Sequence, residues 1–195
     1  MTWETLSENG EYKVSDFKVL QTADIQHFLP LFKELTEFNE RFLLSMLRWC
    51  GYGRKRNREV PVWSVYVAFH LNKPIGVTGV YCEQEDPSER CWLGWFGIIP
   101  DYRRKRVGSY LFNTTCKISR SKGFSSLYIY TGGSNEKAIS FYESIGCNKL
   151  GFGYEVFPNS CFDNFSKSNM ILAFDLTSTD KVNSKSFPLL PLADS

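Results

Sequence analysis

The stretch from Trp92 to Gly146 constrains the fold of this chain more than any other part of it. Trp92–Ile99 is an apolar, aromatic-rich run stopped by Pro100, which cannot donate to a β-ladder. A basic turn follows, Asp101–Tyr–Arg–Arg–Lys–Arg106. Beyond it Val107, Tyr110, Leu111, Thr114 and Ile118 recur at helical spacing. Gly123 suits the position just past the end of that helix. A further strand, Phe124–Thr131, turns at Gly132–Gly133–Ser134 into a second helix that ends at Gly146. Alternating strands and helices in one block predict a sheet covered by helices.

The rest of the chain extends this pattern. Val62–Leu71 and Ile75–Cys82 are rich in β-branched and aromatic residues with a period of two, and Asn72–Lys73–Pro74 between them predicts a hairpin. Upstream, Phe17–Leu20 reads as a short strand. Thr22 serves as an N-cap ahead of Ile25, Phe28, Leu29, Phe32 and Leu35, which lie on one helical face. Pro30 inside that face predicts a kink or a break. Phe38, Phe42, Leu43, Met46 and Leu47 suggest a second helix ending near Gly51. Downstream, Lys149–Phe157 is read as a strand, 158–167 as a polar loop and Met170–Leu176 as the last strand. The resulting order is βααβββαβαββ, an α/β (α+β) chain with a mixed sheet and helices on both faces. Residues 1–177 are expected to form one domain, and 178–195, rich in Ser, Lys and Pro, read as a tail, flexible or draped over a neighbour.

Composition narrows the function classes. With 195 residues, 43% hydrophobic and 16% aromatic, the chain can bury a full core without staples. Lys and Arg total 23 against 21 acidic residues, so no strong global attraction to nucleic acid or to a membrane is expected. Six scattered cysteines, no CxxC pair and two histidines argue against a metal site. The start, MTWETLSENGEYK, lacks the basic segment and apolar core of a secretory signal. No apolar run approaches the roughly 18 residues of a membrane span. A reducing cytoplasm with free thiols is the expectation. His70, alone within a strand, is read as structural, and Arg54–Arg58 as a solvated loop in preference to a lid over an acidic substrate.

Chemistry enters at the basic turn. A helix start presents backbone N–H groups without intrahelical partners, at the positive end of the helix dipole. A glycine there lets backbone approach a phosphate closely. The segment Arg103–Ser109 supplies both features, together with three arginines and a lysine.

Ile98–Ile99–Pro100–Asp101–Tyr102–Arg103–Arg104–Lys105–Arg106–Val107–Gly108, followed some 30 residues on by Asn135-x-x-Ala138-x-x-Phe141–Tyr142-x-x-x-Gly146, resembles the two halves of the GNAT superfamily of N-acetyltransferases. That resemblance implies a mixed, mostly antiparallel sheet of about six to seven strands. It also implies acetyl-CoA as co-substrate and transfer of an acetyl group to a primary amine by direct attack in a ternary complex. The alternative is a non-catalytic acyl-CoA sensor of the same fold. By position, the backbone of Phe96 and Ile98 would hold the pantetheine arm. The N–H groups of Arg104, Lys105, Arg106, Val107, Gly108 and Ser109, next to Arg103, would cradle the pyrophosphate. Asn135 would hydrogen-bond the cofactor beside the thioester, and Tyr142 would protonate the departing thiolate. One position departs from the family pattern: Arg106 stands where the first motif glycine is usual. It would either crowd the phosphate or, if the chain there is already helical, be tolerated and add charge.

The general base stays open between Glu83, Glu85, Glu155 and a water chain, with Glu83 placed beside Tyr142 in the catalytic set. The strand 92–99 carries no carboxylate in its body. Acetyl-CoA and an amine acceptor are the expected partners, homodimer formation is open, and neither nucleic acid nor a membrane is expected. Trp63, Tyr66, Tyr81 and Trp95 are read equally as core or as lining of an acceptor pocket.

Overall fold

The structure, a computed structural model, describes residues 16–22, 26–35, 62–82, 86–158 and 168–177. Seven strands form one sheet: β1 (Phe17–Thr22), β2 (Val62–His70), β3 (Lys73–Cys82), β4 (Arg90–Ile98), β5 (Ser126–Gly132), β6 (Asn148–Phe152) and β7 (Asn169–Asp175), in the spatial order β1-β2-β3-β4-β5-β7-β6. Only β4 and β5 run parallel, as a strand–helix–strand crossover requires; every other neighbouring pair is antiparallel. The helices are α1 (Leu29–Glu34), α2 (Val107–Ser121), α3 (Glu136–Ser144) and the single turn α4 (Gly153–Val156). The mixed, mostly antiparallel sheet expected of the chain is present.

Helix α2 is buried along most of its length because its apolar stripe is wide. Val107, Tyr110, Leu111, Phe112, Cys116 and Ile118 are all sunk in the core. Burying a side chain of the size of Leu111 or Phe112 stabilises a fold by about 1.5–3 kcal/mol. Two hydroxyls are buried with them: Thr115 Oγ1 donates to the Leu111 carbonyl at 2.8 Å and shares a 2.9 Å bond with Thr78 Oγ1 of β3. Both are thereby satisfied, which removes the penalty of placing them in the core.

Several element boundaries differ from the expectations, each for a local reason. Thr22 is not a helix cap, because β1 runs through it in register with β2. Pro30 does not kink a helix; it occupies the first turn of α1, where its missing N–H costs nothing. The segment after β6 does not continue as a strand to Phe157: Gly153–Val156 makes a helical turn capped by the Glu155 side chain, which accepts from the Phe152 N–H at 2.8 Å. The expected helix over 38–47, the basic loop 54–58, the loop body at 159–167 and the tail 178–195 lie outside the described residues. No described helix is long and apolar enough to cross a membrane.

Candidate functional site

The site follows from a strand pair that fails to close. β4 and β5 pair over three positions, Arg90–Ser126, Cys91–Leu127 and Trp92–Tyr128, and no further. From Leu93 to Ile98 the β5-facing edge of β4 therefore has no ladder partner in β5. Ile99 donates its N–H to the Ile75 carbonyl of β3 at 2.9 Å. Backbone groups alternate sides along a strand, so those of Ile98 and Phe96 are directed into the gap. These are the two residues expected to hold an extended ligand through main-chain bonds. The Ile98 carbonyl also accepts from Arg103 Nε at 2.7 Å, which leaves one lone pair and the N–H for a ligand.

A bulge in β4 sets which side chains line this gap. Its register with β3 shifts between Val77 and Gly79, and Trp95 sits at φ 44°. The extra residue puts Phe96 and Ile98 on the α2 side of the sheet and turns Trp95 to the other. Phe96 then meets Phe112 of α2, with centroids 6.3 Å apart, and Phe141 of α3 at 5.9 Å in stacked orientation.

The basic turn lies at the end of β4. Pro100–Tyr102 forms a short 3-10 turn, and Arg103 is extended with its N–H bonded to the Pro100 carbonyl at 3.0 Å. Arg104 at φ 58° and Arg106 at φ 62° are both left-handed. The chain is thus not yet helical at Arg106, which is the N-cap of α2 and makes no side-chain capping bond. Tolerance through helical geometry does not hold there. Each of the two arginines carries about 1–2 kcal/mol of backbone strain that a glycine would not. Arg106 is exposed to solvent. The first N–H groups of α2, including those of Gly108 and Ser109, have no i−4 carbonyl to bind. With Lys105 and the arginines beside it, this turn is suited to a phosphorylated group. The strain at Arg104 was not foreseen; a single sequence carries no signal for φ at a non-glycine residue.

Helix α3 brings the second motif against the first. A Cβ on Gly108 would lie 3.5 Å from the Phe141 ring, so α2 and α3 touch where the family pattern has its last glycine. Tyr142 is buried against Phe96, Phe112 and Phe141. Burial, with the Cys147 thiol adding to it, pushes its pKa well above the ordinary tyrosine value, so the hydroxyl is held protonated at neutral pH. Asn135 caps α3, its Oδ1 accepting from the Ala138 N–H at 3.2 Å. That engages the acceptor atom and leaves the amide N–H donors for a ligand.

The structure does not bring every candidate together. Glu83 and Glu85 lie outside the described residues. Glu155 is accounted for structurally: one oxygen caps α4 and the other accepts from the Tyr154 hydroxyl at 3.1 Å. It borders a groove of about 510 Å³ with Glu136, Ser140 and Lys149. Phe141, on a different flank of α3 from Glu136 and Ser140, is the residue that packs on Phe96 of β4. His70 is not isolated: its Nδ1 shares a 2.8 Å bond with the hydroxyl of Tyr102, in the motif turn. Tyr66 pairs with Thr78 and faces α2, whereas Tyr81 and Trp95 lie on the other face. The side chain of Trp63 is outside the described set. Among the described residues no three His, Cys, Asp or Glu side chains are grouped to hold a metal ion.

Comparison with solved structures finds the same fold repeatedly. An acetyltransferase from Streptococcus agalactiae 2603 superposes with a TM-score of 0.60 at 15% identity, over 82% of this chain and 98% of that one. A GNAT family acetyltransferase from Elizabethkingia anophelis, with acetyl-CoA bound, gives 0.56 at 16% identity over 82% and 98%. A GNAT family protein from Desulfovibrio desulfuricans gives 0.60 at 13% identity over 82% and 99%. No curated protein matches in sequence. The family model described as Acetyltransferase (GNAT) family matches residues 25–147, which spans the open strand pair, the basic turn and both motif helices. This chain belongs to the acetyltransferase (GNAT) family.

Proposed function

We propose that this protein transfers an acetyl group from acetyl-CoA to a primary amine by direct attack in a ternary complex. The observation that carries the reading is the early end of the β4–β5 pairing, which leaves a main-chain edge beside a helix start and a protonated tyrosine. The gap fits a pantetheine arm, an extended chain of amides that can pair with the backbone of Phe96 and Ile98 as a strand would. The N–H groups from Arg104 to Ser109 and the neighbouring cations fit a pyrophosphate. A solved relative of the same fold, from Elizabethkingia anophelis, holds acetyl-CoA.

In this reading the amine lone pair attacks the thioester carbon while a β4 N–H donates to its oxygen. As the carbon–sulfur bond breaks, the Tyr142 hydroxyl gives its proton to the departing sulfur. The proton lost by the amine passes to water or to a carboxylate outside the described residues, Glu83 being the first candidate.

A second reading has its own support. β4 offers no carboxylate, and both left-handed positions of the turn carry arginine instead of glycine. A module that binds acyl-CoA without transferring it would tolerate both. Calorimetry with acetyl-CoA, followed by mass spectrometry of an amine and peptide panel, separates the two. Binding with no acetylated product anywhere in the panel selects the sensor.

A further inference from the structure

Two side chains tie the basic turn down just before its backbone becomes left-handed. The Tyr102 hydroxyl shares a 2.8 Å bond with His70 Nδ1, and Arg103 Nε donates to the Ile98 carbonyl at 2.7 Å. The two anchors differ in kind. Arg103 reaches back to the strand that leads into the turn, whereas Tyr102 reaches past β3 to the end of β2. His70 is a firm point to reach for. It pairs with Phe17 of β1 and with Lys73 of β3, and its ring lies 4.8 Å from that of Phe17. Tyr102 is itself buried in the core, its ring 5.5 Å from the imidazole.

The backbone that depends on these anchors follows at once. Arg104 at φ 58° and Arg106 at φ 62° both sit where an L side chain is disfavoured. Such residues persist only where the surrounding structure over-determines them. On the far side the chain is fixed again: Val107 is buried at the start of α2, and the Tyr110 N–H donates to the Arg106 carbonyl at 3.1 Å. Arg104–Arg106 thus spans two held points, Arg103 and Val107. The directions of its N–H groups follow from where those points are held, and His70 sets one of them from a different strand. A turn already ordered before its ligand arrives loses less on binding than one that must be ordered by it.

Resting on the reading of this turn as the pyrophosphate cradle, we infer that His70 is a positioning residue for acetyl-CoA: through Tyr102 it holds the N–H groups from Arg104 to Ser109 in the arrangement that meets the diphosphate. Without the bond the turn relaxes from its left-handed form. The binding-competent fraction then falls, and affinity falls in proportion. A hydrogen bond of this kind corresponds to about three- to tenfold in affinity.

Calorimetric titration of acetyl-CoA into the full-length protein tests this without turnover. His70→Ala should weaken binding about three- to tenfold, and His70→Asn, whose amide lies near the place of Nδ1, should return it to within about twofold. Tyr102→Phe keeps the ring in the core and should match His70→Ala; it carries the comparison if His70→Ala does not fold. The two changes together should weaken binding no more than either alone, since both remove one bond. Glycine at the left-handed positions separates positioning from packing. In an Arg104→Gly/Arg106→Gly background the turn needs no outside hold, so His70→Ala should change affinity by less than about twofold. In turnover, His70→Ala should raise the acetyl-CoA KM with kcat retained, and should leave kcat/KM unchanged for S-acetylpantetheine, which has no diphosphate. Native affinity in His70→Ala, or an equal loss for both donors, overturns the inference and leaves the transferase reading intact. A native protein that gives no heat with acetyl-CoA removes the cradle reading and this inference together.

Discussion

His70 Nδ1 and the Tyr102 hydroxyl lie 2.8 Å apart, tying the end of β2 to the turn that enters α2. The imidazole also rests on Phe17, with ring centroids 4.8 Å apart. Burial lowers the His70 pKa below its ordinary value, against the opposing pull of Asp16. The folded chain therefore takes up this proton less readily than the unfolded one. Stability tied to neutral His70 is fully present above the unfolded pKa of about 6.5 and is lost as pH falls towards the lower folded value. The melting temperature should decline between about pH 7 and pH 5, and His70→Gln should flatten that part of the profile. An unchanged slope in the variant would remove His70 from this role.

Tyr142→Phe separates chemistry from binding. The lost hydroxyl has no hydrogen-bond partner among the described residues, so folding and acetyl-CoA affinity should hold within about twofold. Turnover should fall by at least about a hundredfold if the hydroxyl is the proton donor. Equal turnover would return Tyr142 to a packing role against Phe96 and Phe112.

Arg106→Gly tests the left-handed N-cap of α2. Relief of backbone strain, offset by the greater unfolded-state freedom of glycine, should give about 1 kcal/mol of net stability. In a chain of this size that raises the melting temperature by about 2–4 °C. Loss of the cation should also make acetyl-CoA affinity less dependent on salt. A lowered melting temperature in calorimetry would mean that the arginine makes contacts worth more than the strain.

Gly108 and Phe141 set the spacing of α2 and α3. Gly108→Ala should be tolerated, since its Cβ would meet the Phe141 ring at ordinary contact distance, 3.5 Å. Gly108→Leu should cost about 1–3 kcal/mol through overpacking and should weaken acetyl-CoA binding by moving α3. Equal denaturation midpoints for the two variants would show that the helices adjust freely.

The buried thiols Cys91, Cys116 and Cys147 should resist alkylation in the native protein. Burial pushes Cys91 up to about 12 and drives Cys116 and Cys147 in the same direction, leaving almost no thiolate at neutral pH. Mass spectrometry after iodoacetamide treatment should find these three modified only once the chain is denatured.

The sequence by itself determined the strands and helices from Val62 to Gly146, because period-two and period-3.6 patterns there are bounded by Pro100, Gly123 and Gly146. It also determined that a helix opens directly after the basic, glycine-containing turn, where α2 begins at Val107. Near Thr22 and Lys149 the local pattern misled: strand pairing claimed the first, and a capped turn at Glu155 ended the second. Tertiary structure alone decided the rest. The positive φ at Arg104, Arg106 and Trp95 is a property of backbone path: side-chain identity there favours negative φ, and only the tertiary surroundings hold these residues at positive values. The bulge at Trp95 follows from pairing between β3 and β4, and it alone assigns Phe96 to the donor side and Trp95 to the other. The bond from His70 to Tyr102 spans 32 residues, a distance over which no sequence periodicity reports.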